Sequence, residues 1–253
     1  MPNAFDLSTS ILASTFRGWR GTADFRGESS EPEQLLELYE FEACPYCRLV
    51  REALTELELD ALIYPCPQGG TRYRPKAIEI SGKNQFPLLI DPNTGEQLLE
   101  SADIVDYLQK NYGYEQRAKR GLMRGLQIGG SYLATASRGG RGLKARPSRA
   151  PELPLELYSF ESSPYSRPVR ERLTELEIPY RLRSFPKTQW QEMGPPIVRS
   201  KLFPKAPLKS RNRIRLRELT GRSQVPYLID PNTDTAMFES DDIIRYLEQT
   251  YAR

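Results

Sequence analysis

Two cysteines three positions apart are the side chains in this sequence with the clearest chemical potential. Cys44-Pro-Tyr-Cys47 follows an alternating segment that predicts a strand and opens a segment whose apolar spacing predicts a helix. A thiol at a helix N-terminus has a lowered pKa, because unpaired N–H groups and the helix dipole favour the thiolate. Such a thiolate attacks disulfides, and a second thiol one turn further on can resolve the mixed disulfide. The pair therefore predicts thiol–disulfide exchange, with Arg48 and Arg51 adding positive charge nearby.

The remaining cysteine and histidine content limits the alternatives for this pair. The chain has three cysteines and no histidine, which excludes histidine general bases and argues against a four-ligand zinc site, so no metal ligand is predicted. An odd number of cysteines favours a reducing compartment over a secreted disulfide framework. A buried pair of inert thiols, or a metal cluster shared between two chains, are the alternative interpretations. Cys66 is expected to be a small buried side chain, with a third redox thiol as the alternative.

The sequence contains an internal duplication in which the cysteine pair appears only once. Residues 36–59 match residues 155–178 at 17 of 24 positions without a gap. The second copy carries Ser163 and Ser166 where the first has its two cysteines. Because serine cannot exchange disulfides, the duplication predicts one redox-active unit and one unit with another role.

Length and composition agree with two soluble domains. Charged residues make up 27% of the 253 residues and apolar ones 38%, and the net charge of +3 says little about partners. No apolar run approaches the roughly 18 residues that a membrane span needs. The predicted division is an N-terminal arm (1–34), a first domain (35–113), a basic linker or arm (114–153) and a second domain (154–253) with an insertion (185–209).

Each copy is preceded by a related segment, residues 12–21 and residues 133–142. The N-terminus is rich in Ser, Thr and Arg and on composition would also fit a transit peptide. A targeting signal has no reason to recur in mid-chain, so we favour structural arms, with the second arm packed on the second domain. The basic residues of the linker are expected to be solvated, and a surface for an anionic partner is the alternative.

Within each unit the order of elements is predicted to be strand, helix, strand, helix, strand, strand, helix. In the first unit strands are predicted over 36–41, 61–64, 88–91 and 97–99, and helices over 45–58, over 73–80 and from 101 onwards. Val50, Leu54 and Leu57 fall on one face of the first of these helices. The alternating arginines at 211–217 are expected on a helix face or in a loop, not in a nucleic-acid patch.

A proline precedes a central strand in both units. Phe86-Pro87 and Val225-Pro226 occupy equivalent places, where proline is unusual because it cannot donate to the sheet. A cis peptide bond there would turn the Phe86 backbone outward, so that its N–H and C=O could bind an extended thiol peptide. An ordinary trans proline at a strand start is the alternative.

A Glu-Ser pair opens the last helix of each unit, as Glu100-Ser101 and Glu239-Ser240. Serine at a helix start usually caps it, and the same N-terminus can hold a carboxylate. A glutamate beside it could pair with an amine. Together these groups suit the two charged ends of a γ-glutamyl group, with a cap alone as the alternative.

The Cys-Pro-Tyr-Cys, Phe-Pro and Glu-Ser motifs together resemble those of glutaredoxins and of the N-terminal glutathione-binding domain of glutathione transferases. The resemblance covers residues 35–112 and 154–252. It implies an α/β fold class with two tandem thioredoxin-like domains, each a four-stranded mixed sheet flanked by helices. It also implies glutathione as the cofactor.

The resemblance implies roles for individual residues. In the first unit Cys44 would be the catalytic nucleophile and Cys47 the resolving thiol. The other residues of that unit expected to bind glutathione are Phe86, Pro87, Glu100 and Ser101. Their counterparts in the second unit are Ser163, Val225, Pro226, Glu239 and Ser240. Some transferase classes use a serine to hold a glutathione thiolate, so the second unit either binds glutathione without turnover or is a structural or partner-docking remnant.

The predicted function is a glutathione-dependent thiol–disulfide oxidoreductase that reduces protein or small-molecule disulfides and glutathione mixed disulfides. No all-helical domain follows either unit, which argues against conjugation as in true transferases. The alternatives are a transferase-like conjugating enzyme, with its electrophile pocket supplied by residues 185–209, and a non-catalytic glutathione- or partner-binding scaffold.

The expected partners are glutathione and disulfide or glutathionylated proteins, with no nucleic acid and no membrane, and a homodimer is left open. The tandem arrangement resembles proteins of photosynthetic lineages. The expected compartment is therefore the cytoplasm of a bacterium, cyanobacteria included, or the plastid stroma.

Overall fold

The computed structural model describes residues 4–113 except 26 and 28, residues 122–194 and residues 207–253. Residues 114–121 of the predicted linker and 195–206 of the predicted insertion lie outside the described residues. The elements up to the end of the first unit are α1 (Ala4–Phe16), β1 (Leu36–Glu40), α2 (Pro45–Glu56), β2 (Ala61–Pro65), α3 (Arg74–Ser81), β3 (Leu88–Asp91), β4 (Glu96–Leu98) and α4 (Ser101–Tyr112).

The later elements repeat this order. They are α5 (Leu122–Ser137), β5 (Leu155–Ser159), α6 (Ser166–Glu175), β6 (Tyr180–Ser184), a short 3-10 helix (Trp190–Glu192), α7 (Arg211–Thr220), β7 (Tyr227–Asp230), β8 (Thr235–Phe238) and α8 (Ser240–Tyr251). The alternating arginines fall in α7, as expected. Among the described residues, no helix combines the length and the apolar character that a membrane span requires.

The eight strands of the described residues form one sheet in the order β4-β3-β1-β2-β6-β5-β7-β8. In the first unit β1 is parallel to β2 and antiparallel to β3, which is antiparallel to β4, and the second unit repeats this pattern. The predicted α/β fold class, with a four-stranded mixed sheet in each unit, is confirmed. The boundaries of the predicted domains stay a prediction.

The two half-sheets are joined edge to edge, which the sequence did not predict. Strands β2 and β6 pair antiparallel, with Ala61 opposite Leu182 and Ile63 opposite Tyr180. An unpaired edge strand exposes a row of backbone donors and acceptors. Each unit therefore covers the exposed edge of the other, and the two sheets become one.

Alternation along each strand divides the buried side chains between two faces. Leu38 and its neighbour Tyr39 in β1 belong to different apolar clusters. The larger cluster runs through both units and includes Val50 and Leu54 of α2 and Leu57, the residue that caps its C-terminus, as predicted. The smaller cluster of the first unit contains all three cysteines.

The arms preceding the two units are crossed. Helices α1 and α5 pack against each other, and α5 also packs on α2 of the first unit. Ser131 Oγ donates to the carbonyl of Pro45 at 2.7 Å, and Ser14 Oγ of α1 donates to the carbonyl of Ser162 at 2.8 Å. The expectation that the second arm packs on the second domain is therefore wrong for α5. Each arm helix covers the cysteine or serine loop of the other unit.

The end of each arm returns to its own unit. Arg17 donates to both carboxylate oxygens of Glu52 at 2.7 Å, and Arg138 donates to both oxygens of Glu171 at 2.7 and 2.6 Å. Gly21, at φ +68°, approaches the second unit so closely that a Cβ would lie 2.7 Å from a glutamate side-chain carbon. The repeated arginine and glycine positions of the two arms thus fix the crossing.

Buried ion pairs run reciprocally between the units. Arg51 donates to Glu161 at 2.9 Å and also pairs with Glu40, while Arg170 donates to Glu42 at 3.0 Å. These five side chains are at most 2% exposed. A buried charge without a partner is costly. The pairs therefore favour the one orientation of the two units in which Arg51 and Arg170 each contact a glutamate of the other unit.

A buried aspartate at the end of the third strand anchors the last helix of each unit. Asp91 accepts hydrogen bonds from the Tyr107 hydroxyl at 2.6 Å and from the Tyr112 hydroxyl. Its other carboxylate oxygen accepts the N–H of Asn93 at 2.8 Å within the predicted tight turn. Asp230 makes the equivalent contacts in the second unit.

Candidate functional site

Cys44 caps the N-terminus of α2 in an extended conformation, with φ −71° and ψ 120°. Its sulfur accepts the backbone N–H of Cys47 at 3.2 Å and lies 3.9 Å from the carbonyl oxygen of Phe86. Pro45 occupies the first helical position, where the absence of an N–H costs nothing. The loop between β1 and α2 thus holds the Cys44 sulfur against the backbone that precedes Pro87.

The two thiols of the motif have opposite pKa shifts. Burial raises the pKa of Cys44, but hydrogen bonds from Cys47 outweigh burial and hold that pKa below its ordinary value. Burial and then the neighbouring Cys44 sulfur raise the pKa of Cys47 well above its ordinary value. Of the two thiols, Cys44 is therefore the one that ionises first as the pH rises.

The nearby arginines do not have the role expected from the sequence. Arg48 and Arg51 are fully buried and pair with Glu161 of the second unit, at 3.4 and 2.9 Å. Their charges are thus compensated between the units instead of being directed at the thiol. The Cys44 thiolate is favoured mainly by hydrogen bonds at the helix start.

A cavity of about 790 Å³ lies beside Cys44. Phe86, Pro87, Glu100 and Ser101 line it together with Cys44, whereas Cys47 is fully buried and is not part of the lining. The peptide bonds before Pro87 and Pro226 are both cis, as the sequence predicted. The structure therefore brings every candidate residue of the first unit except Cys47 to one cavity.

The start of α4 differs from the expected serine cap. Glu100 is the N-cap residue, and Ser101 is the first residue of the helix. The Ser101 hydroxyl is buried and has no hydrogen-bond partner among the described residues, while Glu100 accepts the side-chain amide of Gln85 at 2.7 Å. A buried hydroxyl that lacks a partner, at a helix N-terminus facing a cavity, fits the carboxylate of a ligand such as glutathione.

Two sides of this cavity come from residues that the sequence analysis did not single out. Ile128 and Tyr132 of α5 face Cys44 from the second arm, and the Tyr132 ring packs edge-on against Tyr46 with centroids 6.1 Å apart. The Arg74 guanidinium lies 4.5 Å from the centroid of the Phe86 ring. The arm repeat was the available signal for α5, but its sequence does not show which unit it covers.

The second unit reproduces the loop geometry with oxygen in place of sulfur. Ser163 Oγ accepts the backbone N–H of Ser166 at 3.1 Å, as Cys44 accepts that of Cys47. Ser163 and Val225 line a separate cavity of about 450 Å³. The two cavities therefore occupy equivalent places in the duplicated fold.

The Glu-Ser motif of the second unit is arranged differently. Pro226, Glu239 and Ser240 are not among the described residues that line the second cavity. Glu239 has φ +69°, in the left-handed region that is unfavourable for a side-chain-bearing residue, whereas Glu100 has φ −85°. The predicted glutathione-binding residues of the second unit are thus brought together only in part.

Cys66 lies outside the reactive pair. It is fully buried, its thiol donates to the Tyr64 carbonyl at 3.4 Å, and burial raises its pKa. These properties agree with the expected small buried side chain. The described part of the chain contains no group of three or more Cys, Asp or Glu side chains suited to a metal ion.

Comparisons with known proteins relate the chain to glutathione transferases. The family model "Glutathione S-transferase, N-terminal domain" matches residues 38–117 and 157–253, more than half of the chain. A Bombyx mori glutathione transferase is 29% identical over 34% of this chain and 39% of its own, with a TM-score of 0.30. A trimeric glutathione transferase of Leishmania is 12% identical over 87% and 68%, with a TM-score of 0.29.

The chain spans only about two fifths of the length of the Bombyx mori protein that it matches. Among curated protein sequences, none matches this chain significantly.

Proposed function

Because the chain belongs to the glutathione S-transferase N-terminal domain family, we propose that its first unit is a glutathione-dependent thiol–disulfide oxidoreductase. Family membership confirms the resemblance predicted from the motifs and glutathione as the ligand of such domains. The observation that carries the oxidoreductase proposal is the position of Cys44. Its sulfur accepts a backbone N–H at the start of α2 and borders the cavity at the N-terminus of α4.

The proposed exchange begins with attack by the Cys44 thiolate on the glutathionyl sulfur of a mixed disulfide. The S–S bond breaks, its electron pair leaves with the other sulfur, and that sulfur takes a proton from solvent. A second glutathione thiolate then attacks the glutathionyl sulfur on Cys44, which restores the Cys44 thiolate and releases glutathione disulfide. In sum, one mixed disulfide and one glutathione give a free thiol and glutathione disulfide.

Cys47 gives the first unit a second route for disulfides that lack glutathione. After Cys44 has formed a mixed disulfide, its sulfur no longer carries the charge that helps to raise the pKa of Cys47. The Cys47 thiol then ionises more readily, attacks Cys44 and expels the substrate thiol. The resulting Cys44–Cys47 disulfide is reduced by two molecules of glutathione.

Three groups around the cavity are suited to hold glutathione. The Phe86 backbone lies next to the Cys44 sulfur and would bind the cysteine of the tripeptide. The Ser101 hydroxyl and the N–H groups of α4 would receive the γ-glutamyl carboxylate, and Glu100 its amine. Protein substrates, a homodimer and the predicted compartment stay predictions.

The proposal is tested by replacing the nucleophile while keeping the cap. Cys44→Ser should abolish glutathione-coupled reduction of a small mixed disulfide, because an alcohol is not ionised near neutral pH. The variant should fold, since Ser163 makes the same capping contact in the second unit. Ser163→Ala is the matched control and should retain activity within about twofold. Equal activity in the Cys44→Ser protein would refute the proposal.

Glutathione conjugation is a second candidate, favoured by the apolar surface that Ile128 and Tyr132 place beside the thiol site. Here a glutathione thiolate would attack an electrophilic carbon and displace a leaving group such as halide. The assay is turnover of a chromogenic halogenated aromatic compound. Conjugation that persists in Cys44→Ser, without disulfide reduction by the wild type, would replace the oxidoreductase with a transferase.

A further inference from the structure

The cavity of the second unit has walls unlike those of the first. It is lined by Ile11 and Trp19 of the first arm, by Phe185 and Met193 after β6 and by Val225 before β7. Its volume of about 450 Å³ lies in the range of roughly 300–1,000 Å³ that is typical of small-molecule sites. Cavities walled mainly by aromatic and aliphatic side chains gain most by displacing water with apolar ligand surface.

The polar groups suited to glutathione are missing from the described lining of this cavity. The first cavity reaches Glu100 and Ser101 at the start of α4, but the second does not include Glu239 or Ser240 at the start of α8. The second cavity instead extends toward the segment after β6. The described lining of the second cavity therefore lacks the residues equivalent to Glu100 and Ser101 and includes apolar residues after β6.

The positive charges at this cavity do not call for an anionic ligand. Arg213 pairs with Glu192 at 3.4 Å and donates to the Pro186 carbonyl at 2.6 Å, and its guanidinium lies 4.4 Å from the centroid of the Phe185 ring. Its charge is therefore compensated and its face is stacked. The Lys187 ammonium lies 5.7 Å from the centroid of another aromatic ring.

One polar atom of the lining points to a feature of the ligand. Ser223 lines the cavity, and its hydroxyl is buried without a hydrogen-bond partner among the described residues. Buried hydroxyls are usually paired, because an unmade hydrogen bond costs about 1–3 kcal/mol. An acceptor such as a ketone or ether oxygen on the ligand would satisfy it.

We propose that the cavity of the second unit binds a neutral, largely apolar small molecule carrying a single hydrogen-bond acceptor. Binding there is independent of thiol exchange at Cys44, because the two cavities are separate and Ser163 has no redox chemistry. A protein without oxidoreductase activity at Cys44 would therefore still bind the apolar molecule in the second cavity.

Prodan, a neutral naphthalene ketone whose emission shifts to the blue in apolar surroundings, is a suitable probe. The titration uses the full chain carrying Trp190→Phe, which leaves Trp19 in the cavity wall as the only tryptophan. We expect saturable binding with a blue shift, together with at least a twofold decrease in quenching of Trp19 by acrylamide. Binding that does not saturate, or that leaves Trp19 unprotected, overturns the proposal.

The duplication supplies a matched pair of variants. Val225→Phe introduces the residue that the first unit carries at the equivalent position, so the fold should tolerate it, and it fills part of the cavity. We expect at least a tenfold loss of Prodan affinity. Phe86→Val makes the reciprocal change in the first unit and should alter that affinity by less than twofold. Equal effects of the two variants would place the probe elsewhere.

Three further measurements test the chemical class of the ligand. Ser223→Ala, which needs no added volume, should weaken Prodan binding about fivefold if the hydroxyl donates one hydrogen bond. An anionic naphthalene sulfonate should bind more weakly than Prodan, and tighter binding would identify an anion site instead. Millimolar glutathione should not displace Prodan, and displacement would show that the cavity is a second glutathione site.

Discussion

Glu161 and Glu40 are buried and contact the same arginine, yet removing the charge of each should affect stability in opposite ways. Loss of the Glu161 charge should destabilise the protein, whereas loss of the Glu40 charge should not. Glu161 pairs with Arg48 at 3.4 Å, with Arg51 at 2.9 Å and with Arg170 at 3.0 Å. Glu40 is fully buried on the other side of Arg51. The test is Glu161→Gln against Glu40→Gln, two changes that keep the shape of the side chain and remove its charge.

The expected loss of stability in Glu161→Gln follows from the three guanidinium groups that pair with the Glu161 carboxylate. Breaking a buried ion pair by removing one partner costs about 3–5 kcal/mol, because the other charge stays buried without compensation. For a chain of this length each kcal/mol lowers the melting temperature by about 2–4 °C. We therefore expect Glu161→Gln to lower the melting temperature by roughly 6–20 °C at neutral pH.

Glu40→Gln should be tolerated at the same pH. Burial raises the pKa of Glu40 to about 7 even though Arg51 opposes the shift. The glutamate is therefore partly protonated in the folded protein at neutral pH, and glutamine resembles its protonated form. We expect the free energy of unfolding of Glu40→Gln to equal or exceed that of the wild type at pH 7.

The difference in the free energy of unfolding between each variant and the wild type should change with pH in opposite directions for the two variants. Burial raises the pKa of Glu161, but Arg170, Arg51 and Arg48 outweigh it and hold the pKa well below its ordinary value. The contribution of Glu161 to the free energy of unfolding is therefore complete above the unfolded pKa of 4.5 and is lost as the pH falls through the folded pKa. The Glu40 contribution is complete below about 4.5 and is lost as the pH rises through about 7.

Denaturant unfolding of the three proteins between about pH 4 and pH 8 measures this difference. The loss in free energy of unfolding caused by Glu161→Gln should become smaller toward pH 4. Any gain in free energy of unfolding from Glu40→Gln should become larger toward pH 8. Two results would refute the conclusion that Glu161 is charged and Glu40 partly protonated. One is an equal loss in free energy of unfolding for both variants, and the other is a difference from the wild type that changes with pH in the same direction for both.

Three other predictions concern the thiols, the second arm and the aspartate anchors. The rate at which iodoacetamide modifies Cys44 should rise with pH with a midpoint below the ordinary thiol pKa of ~8.5, whereas Cys66 should react only after unfolding. Mass spectrometry of the peptides that contain each cysteine gives the two rates. Equal rates would contradict the burial of Cys66. Tyr132→Ala should open one wall of the first cavity and raise the turnover of a glutathionylated protein several-fold relative to a small mixed disulfide, and an unchanged ratio would exclude α5 as a barrier. Asp91→Asn should lower the free energy of unfolding by about 1.5–3 kcal/mol, because it weakens hydrogen bonds to a charged group, and Asp230→Asn should do the same in the second unit.

The elements of each unit could be predicted from the sequence because their signals are local. Periodicity separates the strands from the helices, Pro45 begins α2, and the tight turn after Asp91 falls where predicted. The five motif residues that line the cavity of the first unit, Cys44, Phe86, Pro87, Glu100 and Ser101, could be predicted for a similar reason. Each belongs to a short motif at the end of a strand or the start of a helix, where the chain has few alternatives.

The contacts between units could not be predicted because they depend on distant partners. Strand β2 has the same apolar pattern whether its outer edge is free or paired with β6. Arg51 lies one turn beyond the cysteines along α2, so the sequence places its charge near Cys44, but Glu161 of the other unit binds it. Only the three-dimensional arrangement shows which of these neighbours receives the guanidinium.

The crossed arms explain how two copies of one fold can have different sites on a shared framework. The reciprocal ion pairs restrict changes at the centre, since Arg51 and Arg170 each need a glutamate from the other unit. The arm helices carry no such restriction where they face a cavity. Tyr132 and Ile11 are equivalent in the arm repeat, yet Tyr132 borders the cysteine cavity and Ile11 the serine cavity. A substitution at Ile11 or Tyr132 therefore alters the site of the opposite unit without removing any of the reciprocal ion pairs.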